Sequence, residues 1–159
     1  MRILSFLALL LTLCVAGCES EGVSSTLQIS SSSSAQYKET TFDDLKFEML
    51  IDTPFRRELL TPQIEQLFGK KIRIRGYMYP TLKRRGLTGF VLVRDNQQCC
   101  FGPGAALYDC MRVEMQPETT AEFSVRPIAV EGQLRYEPFT DPDGTTRAIY
   151  YLESAAVLP

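Results

Sequence analysis

The chain has 159 residues, 17 Lys+Arg against 19 Asp+Glu, a formal net charge of −2, five Cys and no His. This length holds one domain with room for an appendage, and the near-neutral charge excludes the strongly basic footprint of a nucleic-acid binder. The absence of His excludes Ser-His-Asp and Cys-His catalysis, two-His metal motifs and an imidazole pH switch, while 45% hydrophobic residues suffice for a core.

Met1-Arg2 is a short positive start, and Ile3 to Val15 is apolar apart from Ser5 and Thr12. The run is too short to span a bilayer and fits the apolar region of a signal peptide, here 1–17. Val15-Ala16-Gly17-Cys18 resembles the lipobox of bacterial lipoproteins. That resemblance implies cleavage at Gly17/Cys18, a thioether from Cys18 to diacylglycerol and palmitate-type acylation of the new amine. Each buried methylene of such chains adds about 0.8 kcal/mol, so the anchor holds firmly. The expected location is the bacterial cell envelope, outside the cytoplasm and attached to a membrane by lipid. Glu19 is not the Asp that resembles an inner-membrane retention signal, which favours the outer membrane. Residues 18–40, with Ser24-Ser25 and Ser30 to Ser34, read as a flexible Ser-rich linker.

The folded domain is expected over 41–159. Alternation through Leu45, Phe47, Met49 and Ile51 predicts a strand at 45–51. Thr61-Pro62 starts a short helix over 62–68, with Ile64, Leu67 and Phe68 as its apolar face and Gly69 as its stop. Ile72, Ile74 and Met78 share one face of a strand with Gly76 between them, and Ile128, Val130, Gly132 and Leu134 repeat that pattern. Strands bent at a central Gly suit a small closed barrel. Further strands are expected at 89–94, 111–115 and 148–158, with a turn at Pro142-Asp143-Gly144 and with Pro127 and Pro138 flanking the 128–136 strand. The predicted fold is mainly β, a small, mostly antiparallel OB-like barrel with one or two short helices. A β-sandwich is the alternative.

The tract from Gly69 to Pro80, followed by Gly89-Phe90-Val91-Leu92-Val93 and then Cys99-Cys100-Phe101-Gly102-Pro103-Gly104, resembles a bacterial exported family catalogued as domain of unknown function 3299. The likeness spans roughly 42–137. It implies an exported OB-like β-domain without established activity, and an accessory role beside ABC-type permeases. The Pro-rich tract that follows the Cys in many members is shortened here to Gly102-Pro103-Gly104.

After processing, three thiols remain: Cys99, Cys100 and Cys110. An oxidising compartment permits a disulfide from Cys110 to either neighbour, closing a loop of about ten residues worth about 2–3 kcal/mol. The adjacent pair could instead bridge itself and serve as a thiol redox centre. Three thiolates could also hold Zn with Asp109 or water, or Cu with Met111 or Met115, although neighbouring side chains in extended backbone point apart. Met111 and Met115 otherwise suit the core.

Between Glu65 and Asp95 there is no acidic residue. Arg73, Arg75, Tyr77 and Tyr79 should share the outward face of their strand, and Lys83, Arg84 and Arg85 precede Gly86 at a hairpin tip. This face would suit anionic headgroups, cell-wall polymers or an acidic protein partner; the bland alternative is a solvated face balanced by acids such as Glu114, Glu118, Glu122 and Glu131. Asp141, Asp143 and Glu153 could form a cation site, but Asp-Pro-Asp-Gly reads first as a turn. The leading expectation is a membrane-anchored, non-catalytic binding or accessory module for an envelope transporter or other partner. A metal-binding protein and a thiol redox protein are the alternatives.

Overall fold

A computed structural model describes residues 37–50, 53–95 and 106–159. Six strands form one sheet: β1 (Lys38–Thr40), β2 (Lys71–Met78), β3 (Gly89–Val93), β4 (Cys110–Met115), β5 (Ile128–Thr140) and β6 (Thr146–Val157). The only α-helix among the described residues, α1, is Pro62–Glu65. The sheet runs β1-β2-β3-β4-β6-β5, and β5 returns to pair with β2. Five strands therefore close into a ring, the architecture expected of an OB-like domain and not that of two packed sheets. Within the ring β4 and β6 are parallel and the other pairs antiparallel. Register shifts along β4–β6 and β5–β6 keep it from being a regular barrel.

The two glycine-centred strands pair with each other. Residues 71–76 of β2 face β5, with Ile74 opposite Val130 and Gly76 opposite Ile128. From Tyr77 onward β2 pairs with β3. Gly76 stands where this second partner begins, and a Cβ there would lie 2.6 Å from the Val93 carbonyl oxygen. At Gly132 a Cβ would meet Leu152 Cγ at 2.7 Å. Opposite Gly132, β6 carries an extra residue, and Ser154 takes φ 51°. Two residues facing one make a bulge, which bends the bulged strand, β6, and sharpens the local twist.

Ile72, Ile74, Leu92, Met111, Val130, Leu134, Ile149 and Leu152 fill the main core. Met111 belongs to it, and Met115 packs in a smaller cluster with Met78, Leu87 and Ala121, as their spacing in the strand predicts. At α1, Thr61 Oγ1 accepts from the Ile64 amide at 3.3 Å, Pro62 takes the first turn, and Gly69 stops the following turn at φ 81°.

Three expectations change. Residues 45–50 are not a strand: Asp43–Leu45 is a 3-10 turn, and 46–50 have no regular structure. The Asp44 carboxylate accepts from the amide and hydroxyl of Thr41 at 2.7 and 2.8 Å, and this local pairing competes with a ladder. Leu45 and Phe47 still enter the core, whereas Leu50 is exposed. Pro138 lies inside β5 instead of ending it, at a register shift between Tyr136 and Phe139 where no ladder donor is needed. The sheet also begins at Lys38, inside the stretch expected to be linker. Its first strand pairs in parallel with β2, Lys38 opposite Ile72 and Thr40 opposite Ile74.

Candidate contact surface

Alternation in β2 puts Arg73, Arg75 and Tyr77 on the outward face, with Tyr79 just past the strand's end, but they do not form one free stripe. Arg73 is locked: its Nε donates to Glu131 at 2.8 Å and its Nη1 to Glu39 at 2.7 Å. The Glu131 carboxylate holds the Arg73 proton more firmly than usual, with burial opposing it and Glu39 helping. Glu131 is one of the acids expected to balance this face. Tyr77 and Tyr79 lean on a small buried cluster of Val93, Cys110 and Ala148. Arg75 is exposed and makes no ion pair among the described residues.

Lys83, Arg84 and Arg85 are separate from that face. They sit in the connection from β2 to β3, all exposed, before Gly86 at φ 64°. The segment after β4 braces this tip. Leu87 and Ala121 exchange backbone hydrogen bonds of 3.0 and 2.9 Å, and the Phe123 amide donates to the Arg84 carbonyl at 2.9 Å. The Arg84 guanidinium lies 5.2 Å from the centroid of Phe123. Beneath them the Met78, Leu87, Met115 and Ala121 cluster supplies a rigid base. Leu82 and Val125 stand exposed on these two segments, with Arg126 beside Val125. Arg85 has one opposite charge, Glu122 at 3.7 Å, and both groups are largely solvated, so the pair is weak. Leu82 and Val125 were missed in the sequence. For Leu82 the signal was an aliphatic residue next to a charge run, whereas Val125, between Ser124 and Arg126, carried no such signal.

Cys110 is the one described cysteine. It is buried, and its thiol points at the Arg147 carbonyl oxygen 3.5 Å away. Cys18, Cys99 and Cys100 lie outside the described residues, and with them the lipidation site and the proposed three-thiol cluster. Asp109, the suggested fourth ligand, accepts from Arg94 Nη1 at 3.1 Å. Burial pushes its carboxyl above the usual value, while Arg94 pulls it down. Arg94 also pairs with Asp43. Asp141, Asp143 and Glu153 do not converge: Asp141 accepts from Arg147 at 2.6 Å, Asp143 from the Thr145 amide at 2.9 Å and Glu153 from Arg135 at 2.9 Å. Among the described residues no three His, Cys, Asp or Glu side chains form a metal-binding group, and no helix is long and apolar enough to cross a membrane.

These elements define a small, mainly β domain built on a five-stranded OB-like ring, with a braced basic tip. No family model and no curated protein matches the chain. The crystal structure of a DUF3299 family protein from Pseudomonas aeruginosa PAO1 matches it with a TM-score of 0.50 and 15% identity, covering 77% of this chain and 97% of that one. The likeness is one of fold, and that fold is the one implied by the family resemblance read from the Gly69–Pro80 and Gly89–Val93 tracts.

Proposed function

We propose that the protein is a lipid-anchored envelope module, attached through Cys18, that works by binding a partner and not by catalysis. The observation that carries this reading is the tip: Leu82 exposed next to Lys83, Arg84 and Arg85, and Val125 exposed next to Arg126, on two segments joined by backbone hydrogen bonds. A braced surface loses little conformational entropy on docking. Aliphatic anchors rimmed by cations suit an acidic protein surface with an apolar pocket. An envelope transporter subunit of the ABC type is the partner class implied by the family resemblance.

The anchor is tested by metabolic labelling with a palmitate analogue, which Cys18→Ala should abolish. The partner surface is tested with a photo-crosslinker at position 82 in intact cells. One defined adduct is expected, and the combined Lys83→Glu, Arg84→Glu and Arg85→Glu variant should lose it while keeping its fold. An unchanged adduct would remove the tip as the contact surface.

A further inference from the structure

Tyr37, the first described residue, lies near the end of the stretch 18–40 read above as the anchor's linker. It lines an open groove with Lys38, Glu65, Phe68, Lys70 and Lys71. The groove forms where β1 lies beside the start of β2 and the turn after α1. The Lys71 ammonium sits 5.9 Å from the centroid of the Tyr37 ring.

All three lysines are exposed, and among the described residues none makes an ion pair. The nearby carboxylates are already engaged. Arg57 holds both oxygens of Glu65 at 2.9 Å each, and Arg73 holds Glu39 at 2.7 Å. The groove therefore presents three exposed lysines without ion pairs, Lys38 alone feeling a further carboxylate, Asp44, beside two aromatic rings where the chain enters the fold.

We infer that this groove docks on the phosphate headgroups of an anionic bilayer and turns that side of the domain toward the membrane. The inference rests on the lipid-anchor reading. Attraction of lysines to anionic headgroups fades within a Debye length of about 10 Å, so it acts only on a face brought against the bilayer, as a lipid tether allows. Aromatic rings suit the headgroup level. β2 runs from Lys71 at the groove to Met78, where the connection carrying the tip begins. Its length of roughly 25 Å separates groove from tip, leaving the tip available to a partner.

The chain from Cys18 onward, made without acyl chains, is sedimented with vesicles of phosphatidylcholine alone and of equal parts phosphatidylglycerol and phosphatidylcholine. Binding is expected only to the anionic vesicles, with release by salt. The combined Lys38→Gln, Lys70→Gln and Lys71→Gln variant should lower the partition coefficient by about a hundredfold. The Lys83→Gln, Arg84→Gln and Arg85→Gln variant should leave it unchanged, and circular dichroism should show both variants folded. Equal binding by the groove variant, an equal loss in the tip variant, or binding of inorganic phosphate without vesicle binding would overturn the inference. Failure of Cys18 labelling in cells would remove the anchor without touching the vesicle result, so the two readings fail separately.

Discussion

The Tyr150 hydroxyl donates to the Leu45 carbonyl oxygen at 2.6 Å, between residues 105 apart in the chain and both fully buried. The bond fastens β6 to the segment that precedes the ring. It also satisfies a carbonyl that a strand at 45–51 would have given to a neighbour.

Tyr150→Phe removes that donor and leaves the carbonyl buried without it. The expected loss is about 1–3 kcal/mol in urea unfolding, at unchanged slope. Burial pushes the Tyr150 pKa up. Below the unfolded tyrosine value of about 10, both states keep the proton and the contribution is complete. Above it the unfolded chain ionises first, so stability falls as pH rises toward the folded value. Tyr150→Phe should lose part of that alkaline dependence, measured by unfolding from pH 8 upward.

Ser154 stands at φ 51° opposite Gly132, in the bulge of β6. A Cβ is strained in that conformation, so Ser154→Gly should raise stability by about 0.5–1 kcal/mol. Gly132→Ala acts in the opposite direction, because its Cβ would meet Leu152 Cγ at 2.7 Å and the Glu153 carbonyl oxygen at 3.0 Å. About 1–3 kcal/mol should be lost. Thermal unfolding of the two variants checks the signs.

Two arginines of one strand face should behave differently. Arg75→Glu changes an exposed side chain and should stay within about 0.5 kcal/mol of the parent. Arg73→Glu puts a third carboxylate beside Glu39 and Glu131, the latter only 12% exposed at its side chain. That variant should lose about 1–3 kcal/mol, partly recovered by added salt. Urea unfolding at low and high salt separates them.

Asp109 is buried against Arg94, which Asp43 also holds. Arg94→Met removes the guanidinium facing that carboxyl and should cost about 2–3 kcal/mol at pH 7. Since burial raises the Asp109 pKa above its usual 3.8, ionisation disfavours the folded state once pH exceeds the unfolded value. The penalty in Arg94→Met should therefore shrink as pH falls toward 4. Comparing parent and variant unfolding at pH 7 and pH 4 measures it.

Much of the ring was legible because its signals are local. Alternation in β2 and β5, the Thr61-Pro62 start of α1, Gly69 at the end of the turn that replaces the expected helix after Glu65, and Gly144 in the turn before β6 each involve neighbours in sequence. The tip was legible in part: its charges stand in one run, but Phe123 reaches it from another segment. The strand expected at 45–51 shows why periodicity can mislead. Phe42, Leu45 and Phe47 are buried, yet they reach the core from a 3-10 turn and irregular chain, and burial does not specify backbone.

The sequence by itself determined a small β-rich domain with glycine-bent strands, one short capped helix, a basic run and no imidazole chemistry. Those features depend on composition and on residues a few positions apart. Only the tertiary structure decided that β5 returns to β2, that Lys38–Thr40 joins the sheet, and that Arg73 is held by Glu131 while the lysines beside Tyr37 are left without ion pairs among the described residues. Each is a pairing between segments far apart in the chain. Local pattern can make such partners available, but only closure of the ring selects which of them meet.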